Sequence, residues 1–333
     1  MKAVYQTKYG KSDVLQYGEQ SNPVIKANEV RIKNHASSVN PRDWMIRSGR
    51  YQLQLLVPKF PLILGSDFAG EVLEVGTKVE DFKPGDKVFG MKNPSEGLAC
   101  YAEEVVAPEK NMTIIPKHIS YVEAAGVPLC SLTAWQALVQ KACLKERVKE
   151  IRKKRGKEGV KVLIIGASGG VGSFGVQIAK ALGGEVTAVC SQKNEGMVTV
   201  LGASKVIDYH QNDLLNDNDR YDIIFDTIGR HNLKKCAPVL KSGGTYVSTV
   251  PTPSNLKDLA ITKLKALFFQ RTKKANVVMV KSKGSDLADV AELIFTGRLR
   301  PIIDQVFPIQ QAAKAHDYSR SLRAKGKIIL EIQ

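Results

Sequence analysis

The stretch Lys161-Val-Leu-Ile-Ile-Gly-Ala-Ser-Gly-Gly-Val-Gly-Ser-Phe-Gly-Val-Gln-Ile-Ala-Lys180 constrains the fold more than any other part of the chain. Val162 to Ile165 form a short unbroken apolar run, as a parallel strand covered on both faces requires. Gly169, Gly170 and Gly172 let the backbone turn sharply and bring the next helix close to that strand. With Ala167, Ser168 and Val171 they form a loop that opens a helix, whose N-terminal amides and dipole would face an anion. Ala167-x-Gly169-x-x-Gly172 has alanine where the usual dinucleotide fingerprint has its first glycine, and such a turn can exist for packing alone. The apolar strand before it, and a second strand over 185–190 at the βαβ distance, favour a pyrophosphate cradle.

The same rhythm extends outward. Strands are expected near 161–166, 185–190, 204–208, 221–226, 243–249 and 275–280, with helices between them, which suits a doubly wound parallel sheet. From Met1 to about Glu123 the pattern is instead short alternating segments between turn residues, such as 29–34, 70–76, 86–89 and 102–106, which suggests an antiparallel, barrel-like β domain. After 280 the chain reads helix, strand, helix and a last strand at 326–331. The expected organisation is therefore α/β, with a β-barrel domain over 1–123 and 281–333 and an inserted dinucleotide-binding domain over 124–280.

Composition narrows the class. In 333 residues no run approaches eighteen apolar positions, so no membrane span is expected. Met1 to Tyr5 already reads as a strand, with no signal or transit segment ahead of it, which leads us to expect a soluble cytoplasmic protein. Five cysteines without close pairing argue for reduced thiols and against a cysteine-rich zinc site. A net charge of +16 speaks to partners and solubility rather than to fold.

Several segments together resemble the zinc-independent quinone oxidoreductases (zeta-crystallin-like enzymes) of the medium-chain dehydrogenase/reductase superfamily. They are Ser38-Val-Asn-Pro-Arg-Asp43, Ile46-Arg-Ser-Gly49, Gly65-Ser-Asp-Phe-Ala-Gly70, Leu132-Thr-Ala-Trp-Gln-Ala-Leu138, the glycine loop, Val206-Ile-Asp-Tyr209, Phe225-Asp-Thr-Ile-Gly229 and Gly326-Lys-Ile-Ile-Leu330. The resemblance implies a GroES-like β domain with a Rossmann domain inserted, and a nicotinamide cofactor in the cleft between them. It implies cofactor contacts from Thr133, Asp226, Gly229 and Val250. Zinc-holding members of the superfamily place their ligands where this chain has Asn40, Ser66 with Asp67, and Leu129 beside Cys130. An amide, a hydroxyl and at most one thiol make a poor set for zinc, so we expect no metal.

The nucleotide is expected to be NADPH. Cys190 stands where an NAD enzyme normally ends its second strand with an acid, and Ser191 and Lys193 follow as donors for a 2′-phosphate. Tyr209 matches a family position that resembles another such contact, while Lys193 taken alone reads equally as a solvated lysine. Without a metal to polarise a carbonyl, conjugated acceptors are the easier substrates, because hydride arrives at a carbon whose charge spreads to a distant oxygen. Asn40 as an amide donor and Tyr51 as a lining side chain are the candidates around a quinone or an α,β-unsaturated carbonyl. Each also has a plain structural reading, Asn40 ordering the turn before Pro41 and Tyr51 packing. Asp43 reads as a helix cap, and all five histidines as surface or capping groups.

Two basic stretches stay open. Residues 145–161 read as a solvated helix end and loop, and 256–274 as an amphipathic helix that either covers the sheet or lies on an anionic membrane. They leave a second class of function: a basic, NADPH-regulated protein that binds RNA or a membrane surface with little catalysis. A homodimer is expected by resemblance alone.

Overall fold

The computed structural model describes residues 1–155, 159–266, 268 and 272–332. Two compact units emerge, Met1–Leu132 with Lys281–Gln333, and Thr133–Val280. The chain first lays down β1 (Lys2–Gln6), β2 (Gln16–Glu19), β3 (Glu29–Val39), β4 (Leu62–Ile63), β5 (Asp67–Val75), β6 (Lys87–Met91), β7 (Glu104–Pro108) and β8 (Met112–Ile114). The second unit adds β9 (Val160–Ile165), β10 (Gly184–Cys190), β11 (Lys205–Asp208), β12 (Tyr221–Asp226), β13 (Leu240–Ser248) and β14 (Lys274–Val277), and the return adds β15 (Ile303–Pro308) and β16 (Lys327–Glu331).

In the first unit a long sheet runs β15-β16-β3-β5-β6-β8, with β7 also on β3, and a small sheet runs β2-β1-β4. The pairs are antiparallel except β15 with β16. Strand β3 organises this unit. Over its first half burial alternates, with Val30, Ile32 and Asn34 inward, the signature of a sheet wet on one face. From Ala36 to Val39 every residue is buried, and there β16 pairs alongside. The first boundary falls later than the sequence suggests, because Ser120 and Glu123 form a capping box that starts the helix Tyr121–Ala125. That helix buries Ala124 and Ala125 and packs on β3 and β5.

In the second unit the sheet is wholly parallel with order β11-β10-β9-β12-β13-β14. This is the doubly wound arrangement, which reverses direction between β9 and β12, where such sheets take their ligands. Every residue of β12 is buried and β9 nearly so, which explains why both read as unbroken apolar runs. Leu163, Ile165, Val189, Ile224, Val239 and Tyr246 share one core on this sheet.

The basic stretches resolve in part. Leu144–Arg155 is a helix; Arg147 donates to Thr245 Oγ1 at 2.8 Å and the Lys145 ammonium lies 4.4 Å from the Trp135 ring centre, so this run helps to brace its own unit. Residues 156–158 of it lie outside the described residues. The helix Pro253–Ala266 covers β14 and buries Asn255 and Thr262, yet it leaves Leu256, Ile261 and Leu264 exposed beside Lys257, Lys263 and Lys265. Residues 267 and 269–271 of that stretch also lie outside the described residues. Among the described residues no helix is long and apolar enough to cross a membrane. All five cysteines are unpaired.

Candidate functional site

The glycine loop stands at the end of β9. Gly166, which sequence reasoning passed over, makes the turn: its φ is +79°, and a side chain there would run into Thr227. Its amide and that of Ala167 both donate to Val189 O at 3.1 Å, pinning the loop to β10, so buried Ala167 serves the turn rather than an anion. Gly172 is the close-approach glycine, since a Cβ would lie 2.1 Å from Gly166 O. The helix Gly170–Ala181 starts at Gly169 with no side chain capping it, and its first amides have no intrahelical acceptor. This uncapped N-terminus, with a floor that a Cβ would fill, fits a pyrophosphate.

Two further loops edge the same end of the sheet. Asp226 closes β12, fully buried, accepting from the amides of Ile228, Gly229 and His231 at 2.9, 2.8 and 3.1 Å and from Tyr246 Oη at 3.0 Å. Burial alone would push its pKa up, but the His231 ring nitrogen 3.7 Å away and the hydrogen bonds from these amides hold the carboxyl below its usual value. Asp226 therefore shapes its loop, with both carboxylate oxygens engaged by that loop's amides and by Tyr246. Gly229, at φ +77°, lets Val250 pack where a Cβ would clash, and Thr249 bonds back to Asp226 and Thr227. Thr227 in turn donates to Ile165 O, which locks these loops to the glycine turn.

At the end of β10, Cys190 is buried, Ser191 nearly so and Lys193 exposed. Asn194 is another residue missed from sequence. Its Nδ2 donates to Ser168 Oγ at 3.0 Å and Ser191 Oγ at 3.2 Å, joining the glycine loop to the strand end, while its buried Oδ1 has no partner. No local pattern marked it, because its partners come from two separate loops. Tyr209 is exposed and lies against His210. Burial, and then the carboxylates of Asp208 and Glu195, push the Cys190 thiol up to about 11, so two acids stand near this corner even though none ends the strand. Thr133 is buried in the helix Pro128–Trp135.

The first unit holds a different kind of centre. Asn40 and Asp43 form the capping box of the helix Pro41–Arg47. Both are fully buried, as are Ser38, Ser66, Asp67 and Tyr101. Asn40 Nδ2 donates to Asp67 Oδ2 at 2.9 Å and its Oδ1 accepts from Lys327 Nζ at 2.7 Å. The amide read from sequence as a donor to a bound acceptor is thus engaged inside the unit, and Asn40 acts as an internal bridge. Asp67 Oδ2 also accepts from Ser38 Oγ at 2.5 Å, and its Oδ1 from the Leu129 amide at 2.8 Å. Arg42 Nε donates to Ser66 Oγ, which donates to Asp43 Oδ1. Burial pushes the Asp43 carboxyl up to about 6 against the pull of Arg42 and the Asn40 amide.

His316 is not a surface group, as its place on a late helix suggested, but wholly buried. Arg47 Nη1 lies 3.1 Å from His316 Nδ1, and a guanidinium can only donate, so Nδ1 accepts. Nε2–H therefore donates to Tyr101 Oη at 3.2 Å, and Tyr101 donates to Asp43 Oδ2 at 3.1 Å. Burial and then Arg47 push His316 down to about 3, consistent with this neutral tautomer. Tyr51 is half-buried, its ring packed against the cluster of Val4, Ile46, Leu62 and Leu330.

Comparison with known proteins agrees with this architecture. Residues 26–117 match the family described as alcohol dehydrogenase GroES-like domain, and 201–330 the family described as zinc-binding dehydrogenase. The human protein named NAD(P)H oxidoreductase RTN4IP1, mitochondrial, is 35% identical over 98% of this chain and 87% of its own length. An Arabidopsis thaliana protein named NADPH-dependent alkenal/one oxidoreductase, chloroplastic, is 31% identical over 99% of this chain and 79% of its own. The solved quinone oxidoreductase of Coxiella burnetii superimposes with a TM-score of 0.85 at 29% identity, covering 100% of this chain and 99% of that one. A GroES-like unit, a doubly wound sheet with a glycine cradle, and relatives of this closeness over nearly the whole chain make it an NAD(P)H oxidoreductase of the medium-chain dehydrogenase/reductase family.

Proposed function

We propose that the chain is an NADPH-dependent reductase of quinones or α,β-unsaturated carbonyls. The observation that carries this reading is the uncapped helix N-terminus above Gly166 and Gly172, at the point where the parallel sheet reverses. Ser168, Gly169, Gly170 and Val171 present the amide-rich edge to a pyrophosphate, and Gly229 and Val250 form the neighbouring loops that would border the nicotinamide half. Bound NADPH would supply a hydride from nicotinamide C4. Thr133 and Tyr51 are the side chains assigned to nicotinamide and acceptor respectively; relatives named for quinones and for alkenals support a conjugated acceptor. Solvent delivers the proton after hydride arrives.

For the 2′-phosphate, exposed Lys193 supplies charge, Ser191 a hydroxyl and Tyr209 an exposed ring with its own hydroxyl. Asp208 and Glu195 oppose an anion at this corner, so the preference over NADH should be moderate. Lys193→Glu should raise KM for NADPH about tenfold more than KM for NADH, a difference of ~1.4 kcal/mol. Equal changes for the two nucleotides would overturn the assignment. Oxidation of NADPH followed against quinones, alkenals and saturated aldehydes tests the acceptor class, and a preference for saturated aldehydes would refute it. A homodimer, proposed from resemblance, is checked by sedimentation equilibrium.

One observation favours a second role beside catalysis. Leu256, Ile261 and Leu264 stand exposed among lysines on one helix, a pattern suited to an anionic bilayer. Co-sedimentation with phosphatidylserine vesicles, lost in Leu264→Glu, would establish it; RNA retention instead would replace it.

A further inference from the structure

One of the matched families is described as zinc-binding, and the resemblance places metal ligands at Asn40, Ser66 with Asp67, and beside Cys130. The groups found there do not fit an ion as they stand. Ser66 Oγ is held by Arg42 and Asp43, and the point on which the others converge already carries a cation. Lys327 Nζ lies 2.7 Å from Asn40 Oδ1, 3.5 Å from Cys130 Sγ and 3.7 Å from Asp67 Oδ2, with Cys130 Sγ only 3.9 Å from Asn40 Oδ1. Lys327, Cys130, Asn40 and Asp67 are all buried. Among the described residues no three His, Cys, Asp or Glu side chains come together as a metal set.

We propose that the Lys327 ammonium is the resident cation of this centre, holding Asn40, Asp67 and Cys130 in the place of a metal ion, over a divalent-cation site that the lysine keeps closed. A buried carboxylate needs a countercharge, and Lys327 is the cation paired with Asp67. The amide oxygen, the thiol sulfur and the carboxylate oxygen all face one nitrogen, so the three N–H groups of the ammonium occupy the point on which a metal's ligands would converge. With the ammonium gone, the Cys130 thiol, the Asp67 carboxylate and the Asn40 amide oxygen would face a common space; thiol and carboxylate are ligand types that zinc takes, and the amide oxygen is a weak third. Lys327 is also a positioning residue. It opens β16, and through Asn40 and Asp67 it sets the cap of the helix Pro41–Arg47 and the Leu129 amide in the first turn of the helix Pro128–Trp135.

The test needs no turnover. Wild type, Lys327→Ala and the double variant Lys327→Ala with Cys130→Ser are incubated with zinc and, separately, with cobalt, then desalted. Wild type should retain no stoichiometric metal. Lys327→Ala should retain one equivalent and show a thiolate-to-cobalt charge-transfer band, and the double variant should lose that band. Stoichiometric thiolate-bound metal in wild type, or a folded Lys327→Ala that takes none, overturns the proposal. If Lys327→Ala fails to fold, Lys327→Met is compared with Lys327→Met, Asp67→Asn. The proposal requires the double variant to melt higher, because the lysine's task is to compensate that carboxylate; an equal or lower midpoint refutes it.

Discussion

The glycine cradle and the buried polar centre solve opposite problems with opposite materials. The cradle is made of backbone: uncapped amides, a left-handed Gly166 and a Gly172 that must lack a side chain. The polar centre is made of side chains, with Lys327, Asp67, Asn40, Asp43, Tyr101 and His316 satisfying one another out of contact with water. A surface built from amides stays ready for a partner that comes and goes. A centre built from ionisable side chains has already found its partners, and its geometry persists only while every member is present.

The largest expected effect comes from filling the cradle. Gly172→Val puts a Cβ 2.1 Å from Gly166 O with no flexible atom to yield, so nucleotide binding followed by fluorescence should disappear and the melting midpoint should fall. Retained binding would mean that the loop shifts and the backbone account is wrong. Next comes acid. His316 is held neutral, with its pKa near 3 against 6.5 unfolded, so between those values the unfolded chain binds more protons. The stability due to this group is complete above pH 6.5 and is lost as pH falls, by about 3 kcal/mol at pH 4. Urea titrations at pH 7 and 4 read it, and amide exchange should rise in 312–320 before 160–181. His316→Gln should flatten this slope, and an unchanged slope breaks the contrast. The smallest effect belongs to Asn194→Ala, which removes two hydrogen bonds between the loop and the end of β10. Nucleotide affinity should weaken by about 1 kcal/mol with the fold intact; no change would show that the cradle holds itself.

The same contrast explains what the amino-acid sequence reveals on its own. The cradle was legible because its parts are contiguous, as were the six strands of the parallel sheet, whose double burial writes itself as apolar runs. Even so, Gly166 escaped, since the fingerprint spacing drew attention to Ala167. The polar centre was half legible: Asn40, Ser66, Asp67 and Cys130 were noticed as a deficient ligand set, and Asp43 as a cap. What the set had gained was hidden 287 residues away, in the segment 326–330, where nothing local ties the lysine to Asn40. His316 escaped for the same reason, because a histidine on a late helix carries no sign of the Arg47 and Tyr101 that meet it. Periodicity reports neighbours along the chain, whereas these residues are defined by neighbours across it.

The antiparallel pairing of β16 with β3 has a consequence for how the polypeptide is born. The parallel sheet is encoded as one continuous stretch, but the first unit must wait, with the Asp67 carboxylate uncompensated and Tyr101 without its histidine, until residues 281–333 emerge. The nascent first unit therefore lacks β16 for as long as residues 133–280 take to be translated, and the Asp67 carboxylate meets its countercharge only when Lys327 arrives.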